Sequence, residues 1–150
     1  MRTIFLINGP NLGMLGKRDV SQYGSFTLAD VEAAFVAKAA ALGFEARCFQ
    51  SDCEGELCKI IHAARDGASG IVINAGAYTH YSYALFDALA LAELPVMEVH
   101  ISDIHKREPF RAISVIRPAC IGQICGLGFD SYIVGLEQLA EHIAKNDDKL

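Results

Sequence analysis

Thr3-Ile4-Phe5-Leu6-Ile7, closed by Asn8-Gly9-Pro10-Asn11, is an unbroken apolar run stopped by turn-forming residues. A run this short that ends at Gly-Pro reads as a strand buried on both faces, since a half-exposed strand would alternate polar and apolar residues. Ile71–Ile73, ending at Asn74, and Val96–Ile101 have the same character, while Phe44–Gln50 alternates and Ile121–Cys125 is short.

Helical patterns fall between these strands. Thr27 begins one, with Asp30 three residues on as its capping-box partner. Leu28, Val31, Phe35, Ala39 and Leu42 form its apolar stripe, and Gly43 ends it. Glu54 to Arg65 puts Leu57, Ile60, Ile61 and Ala64 on one face. Thr79 to Ala92 forms the next helix, Arg107 to Arg111 a single turn, and Phe129 to Lys145 the last helix. Lys17 to Gly24 is a polar, glycine-bounded loop of poor helix formers, and residues 146–150 read as a frayed polar tail. Strands alternating with helices imply βαβ units. The fold class predicted is α/β: a flavodoxin-like, doubly wound, five-stranded parallel sheet with helices on both faces, in a single domain spanning 1–150.

Composition narrows the function. The net charge is −5, from 18 acidic and 13 basic residues, which argues against a binder of nucleic-acid backbone. The one basic cluster, His105-Lys106-Arg107 with Arg111, suits a small anion. Five cysteines (Cys48, Cys53, Cys58, Cys120 and Cys125) lack CxxC spacing, so neither a disulfide framework nor a zinc site is indicated, and a reducing cytoplasm is the expected setting. No stretch approaches the roughly 18 apolar residues of a membrane helix. An apolar share of 52% without Trp suits a small subunit that buries surface against copies of itself.

Ligands in doubly wound folds sit beyond the carboxyl ends of the strands, and the most polar segments here all begin there. Glu98-x-His100 places a carboxylate and an imidazole on the same face of one strand. Such a carboxylate fixes the tautomer and favours the charged ring, as a general acid needs; a structural ion pair would look the same. Arg18 and Tyr23 share the glycine-bounded loop. A cation near a phenol favours phenolate, and the alternative is a surface loop with a tyrosine packed on it. Asn74 to His80 leads from a strand into a helix start that could offer amides to an anion. His100 and His105 have no recognised metal-ligand spacing, GK[ST] is absent, and no G-x-S-x-G surrounds any serine.

Taken in order, Asn8-Gly9-Pro10-Asn11-Leu12, Leu15-Gly16-x-Arg18, Tyr23-Gly24, Gln50-Ser51-x-x-Glu54-Gly55-Glu56-Leu57, Asn74-x-Gly76-Ala77-Tyr78-Thr79-His80, Glu98-Val99-His100-Ile101-Ser102 and Gly126-Leu127-Gly128 resemble type II 3-dehydroquinate dehydratase along essentially the whole chain. The resemblance implies a metal-free and cofactor-free lyase that converts 3-dehydroquinate to 3-dehydroshikimate through an enolate, in shikimate biosynthesis or quinate breakdown. It also implies a homo-oligomer, a dodecamer built from trimers. Tyr23 would be the base and Arg18 would hold it as phenolate, both on a lid formed by residues 17–24. His100 would be the acid, oriented by Glu98, and Asn11 would hold a water at the enolate oxygen. Asn74, His80, Arg107, Arg111 and the amides of Ile101 and Ser102 would bind substrate, with Asp87 reaching a neighbouring subunit's site.

The chain departs from the family pattern at Asp103, Lys106, Pro109, Ala112-Ile113, Phe86, Asp52-Cys53 and Ile116-Arg117-Pro118. None of these removes a catalytic group. A non-catalytic binder of small hydroxy-carboxylates is the competing class; it would bind the same ligand without turnover.

Overall fold

The computed structural model describes residues 1–147. Five parallel strands, β1 (Arg2–Asn8), β2 (Phe44–Gln50), β3 (Gly70–Asn74), β4 (Val96–His100) and β5 (Gly122–Cys125), lie in the order β2-β1-β3-β4-β5. This is the flavodoxin-like order predicted. Every residue of β3 and β4 is buried, as are Ile4 to Asn8 of β1, whereas β2 and β5 at the edges are mixed. The continuous apolar runs are thus the strands enclosed on both faces, and the alternating one lies at an edge.

Successive β1 side chains enter opposite cores. Ile4 and Leu6 pack with Val31, Phe35, Leu136 and Leu139, on α2 (Leu28–Ala41) and α5 (Asp130–Asp147). Phe5 and Ile7 pack with Leu57, Ile61, Leu85 and Leu89, on α3 (Glu54–Gly67) and α4 (Tyr83–Ala92). The capping box at α2 is present: the Thr27 hydroxyl accepts from the Asp30 amide, and the Asp30 carboxylate accepts from the Thr27 amide. Beyond α2, Gly43 turns the chain at φ 88°, which no β-carbon residue adopts easily.

Most element ends move by a residue or two, the single turn expected over Arg107–Arg111 is two 3-10 turns (Ile104–Lys106 and Pro109–Arg111), and three further differences have a clear local cause. The segment 17–24 is not all loop: Asp19 caps a single helical turn, α1 (Val20–Tyr23), by accepting from the Ser21 amide. That local cap outweighs the weak propensities. The helix predicted to begin at Thr79 starts at Tyr83, because Ser82 caps the Leu85 amide and a 3-10 turn (Gly76–His80) comes first. At the C-terminus, Asn146 and Asp147 continue α5 rather than fraying; Asn146 meets His142 one turn earlier, and Asp147 pairs with Arg2. The remainder of the expected tail, 148–150, lies outside the described residues.

One buried polar link joins helix and sheet. Tyr132 on α5 is fully buried; its hydroxyl donates to Asn8 Oδ1 at 2.6 Å and accepts from Asn74 Nδ2 at 2.9 Å. Burial pushes the phenol well above its ordinary range, so it stays neutral and can serve both partners. The last residues of β1 and β3 are thereby held at a fixed separation. These two strands flank the point where the strand order reverses, and a ligand crevice opens there.

Candidate active site

The polar cleft at that reversal is lined from several strand ends: Pro10, Asn11 and Leu12 after β1, Asn74, Gly76, Ala77 and His80 from β3 onward, and His100, Ile101, Ser102, Ile104, Arg107 and Arg111 from β4 onward. Arg18 and Tyr23 close one side. Of the residues expected from the sequence, Asn11, Arg18, Tyr23, Asn74, His80, His100, Ile101, Ser102, Arg107 and Arg111 thus meet in one place. Glu98 lies behind His100, fully buried, and Asp87 is on the exposed face of α4, away from this cleft.

The loop after β1 is held tightly. Gly9 donates to the Asn74 carbonyl at 2.8 Å, and Gln50 Nε2 donates to the Gly9 carbonyl at 3.1 Å. Asn11 takes the left-handed conformation (φ 68°), with its amide donating to Asp52 Oδ1 at 2.9 Å. Asp52, one of the departures from the family pattern, therefore fixes the backbone of a cleft residue. A β-carbon on Gly9 would stand 2.5 Å from the Ala75 carbonyl oxygen. We expect Gly9→Ala to lower stability by about 1–3 kcal/mol and to raise KM more than it lowers kcat, as read by urea unfolding and steady-state kinetics.

Asn74 has both ends of its side chain engaged: Oδ1 accepts from the Gly76 amide at 3.1 Å, and Nδ2 donates to Tyr132. Its second Nδ2 hydrogen is left for a ligand. His80 Nδ1 lies 2.8 Å from the Ile113 carbonyl, which makes Nδ1 the protonated nitrogen of the neutral ring and Nε2 the acceptor. Burial holds this imidazole below its usual range despite that bond, so it is neutral at neutral pH.

Two guanidinium groups attend Tyr23. Arg18 lies over its ring face, 3.6 Å from the centroid, while Arg107 Nη1 donates to the hydroxyl at 2.7 Å. Arg107 also reaches Ser102 Oγ at 3.2 Å. Arg107, expected only among substrate-binding residues, is thus the group bonded to the Tyr23 hydroxyl, while Arg18 lies at the ring face. Glu108 binds Arg111 Nε at 2.6 Å and lies 3.9 Å from Arg107 Nε.

In the same cleft, His100 Nε2 is hydrogen-bonded to Glu98 Oε2. Burial alone would push the Glu98 carboxyl up, but His100, Ser114 and Gln123 together hold it below its ordinary range, so it is an anion in the folded protein. Ser114 and Gln123 carry no signal in the sequence, because nothing local marks them as partners of a glutamate 16 and 25 residues away. Among the described residues, no three His, Cys, Asp or Glu side chains gather where they could share a metal ion, and no helix is long and apolar enough to cross a membrane.

A parallel sheet of this order, with an arginine-bonded phenol and a carboxylate-backed imidazole lining one cleft, defines an acid–base enzyme acting on a small polar molecule. The chain belongs to the class II dehydroquinase family, whose pattern matches residues 2–140. It is 50% identical over 143 residues to the 3-dehydroquinate dehydratase of Bacillus cereus strain G9842, covering 95% of this chain and 98% of that protein. The 3-dehydroquinate dehydratase of Geotalea daltonii is 51% identical over 142 residues, covering 95% and 99%. The crystal structure of type II dehydroquinase from Butyrivibrio crossotus superposes with a TM-score of 0.89 at 44% identity, over 92% of this chain and 97% of that one.

Proposed function

We propose that the protein is a metal-independent hydro-lyase that removes water from 3-dehydroquinate to give 3-dehydroshikimate. The observation that carries this reading is the pair of groups in one cleft: Tyr23, bonded to Arg107, and His100, bonded to Glu98. A proton beside a ketone can be removed by a base without metal or Schiff base if the enolate is stabilised, whereas hydroxide leaves readily only when protonated.

Tyr23, as phenolate between Arg18 and Arg107, takes the C2 proton, and the electron pair moves onto the carbonyl oxygen as an enolate. Asn11 holds a water at that oxygen. The enolate then collapses, the C1–oxygen bond breaks, and His100 gives its proton to the departing hydroxyl, which leaves as water. Tyr23 ends protonated and His100 neutral; exchange with solvent resets both. Asn74, His80, Arg111 and the Ile101 and Ser102 amides hold the carboxylate and hydroxyls.

Residues 17–24 act as a lid that excludes water once substrate is bound. The subunit is one catalytic domain that assembles into a cytoplasmic dodecamer of trimers, with Asp87 reaching a neighbour's cleft; it serves either shikimate biosynthesis or quinate breakdown. Incubating the purified protein with 3-dehydroquinate should raise the enone absorbance of the product at the same rate with and without a chelator. Absence of turnover with intact binding would overturn the lyase reading, and a mass by light scattering far from twelve subunits would overturn the assembly.

A further inference from the structure

The Glu98 carboxylate is held by more than His100. Thr79 Oγ1 at 3.3 Å, Ser114 Oγ at 2.9 Å and Gln123 Nε2 at 3.0 Å all donate to Oε2, the same oxygen that faces His100 Nε2. Gln123 is the cross-strand neighbour of Glu98 in the β4–β5 register, so its reach follows from the sheet itself. Its far end is also engaged: Oε1 lies 3.3 Å from Nε2 of the exposed His105. An amide beside a carboxylate must turn its N–H groups toward it, which leaves its carbonyl to accept from His105. A chain of contacts thus runs from the cleft through His100, Glu98 and Gln123 to a surface imidazole.

Every neutral donor on a carboxylate oxygen withdraws electron density from it and makes it a weaker acceptor for the remaining partner. A bare buried carboxylate bonded at Nε2 would stabilise the charged His100 ring strongly and oppose loss of the proton on its other nitrogen. We propose that Gln123 is a positioning residue for the reaction: by donating to Glu98 while anchored on His105, it weakens the support that Glu98, bonded at Nε2, gives the imidazolium form of His100, so that the ring can release the proton on its other nitrogen. This rests on the acid role given to His100 above.

Other ionisable groups around the pair are His80 beyond β3, Arg107 and Arg111 after β4, and the Cys120 and Cys125 thiols. Burial pushes those thiols up to about 12 and about 11, so neither adds charge near neutrality.

Gln123→Met keeps the bulk and removes both hydrogen bonds. In substrate-free protein with labelled histidine, NMR titration should show the His100 ring titrating at higher pH in this variant, by about half a unit to one unit. The alkaline limb of the kcat profile should move the same way, with the plateau lowered by about three- to tenfold and KM nearly unchanged. His105→Ala, a surface change that cannot unfold the core, should move both in the same direction by less, and serves alone if Gln123→Met does not fold. An unmoved or lowered His100 titration, or a loss confined to thermal stability or KM, overturns the role of Gln123. A raised titration with an unchanged kcat profile leaves that effect standing and overturns the acid role of His100 instead.

Discussion

Replacing Tyr23 with Phe is expected to lower kcat by about 10²- to 10⁴-fold while leaving KM within a few-fold, because it deletes only the atom that takes the proton. The ring stays under Arg18, and its half-buried packing against the core on the α2 and α5 side of the sheet is untouched. What disappears is the acceptor for Arg107, whose side chain is only 15% exposed. That guanidinium keeps Ser102 as a partner and can turn to the substrate carboxylate. Steady-state kinetics with 3-dehydroquinate, beside an unfolding curve matching the parent, separates this from damage to the fold. Full turnover in Tyr23→Phe would remove Tyr23 as the base.

Glu98→Ala should strike both stability and rate. The substitution leaves His100, Ser114, Gln123 and Thr79 without their common acceptor in a site closed to solvent. Breaking such a buried charged network costs about 3–5 kcal/mol, and losing the group that orients the acid should lower kcat by about 10²-fold or more. The pH dependence has a definite sign. The folded carboxyl lies below its ordinary value of 4.5, because the donors around it outweigh burial. As pH falls, the unfolded chain therefore binds this proton first. The stabilisation is complete above about pH 4.5 and is lost as pH falls through the folded value. Urea midpoints of parent and Glu98→Ala should differ most near neutrality and converge in acid; a constant gap down to pH 3 would show that folding does not lower the Glu98 carboxyl.

The fold was legible because its signals are local. Thr3–Ile7 is long enough for a strand, too short for a helix and apolar on both faces, which places it inside a sheet covered on both sides. Thr27 with Asp30, and Gly43 after the apolar stripe, mark helix ends by chemistry within a few residues. Where two local signals compete, the structure departs from expectation: Thr79 resembles a cap, but Ser82 accepts from the Leu85 amide, and the weak propensities of 17–24 conceal the cap at Asp19.

The site divides along the same line. Glu98-x-His100 is a strand-period pair, so the alternation of side chains alone puts both on one face. Tyr23 and Arg18 were joined to it only through resemblance to a known family, since nothing local ties an exposed loop to a strand tens of residues away. Tertiary structure alone decided that Arg107 reaches the Tyr23 hydroxyl, that Tyr132 spans Asn8 and Asn74, and that Ser114 and Gln123 surround Glu98. Strand, turn and cap propensities act over a few residues and can be read in order along the chain. The neighbours that set the charge of a buried carboxylate are chosen by sheet register and helix packing, and those exist only once the chain has folded.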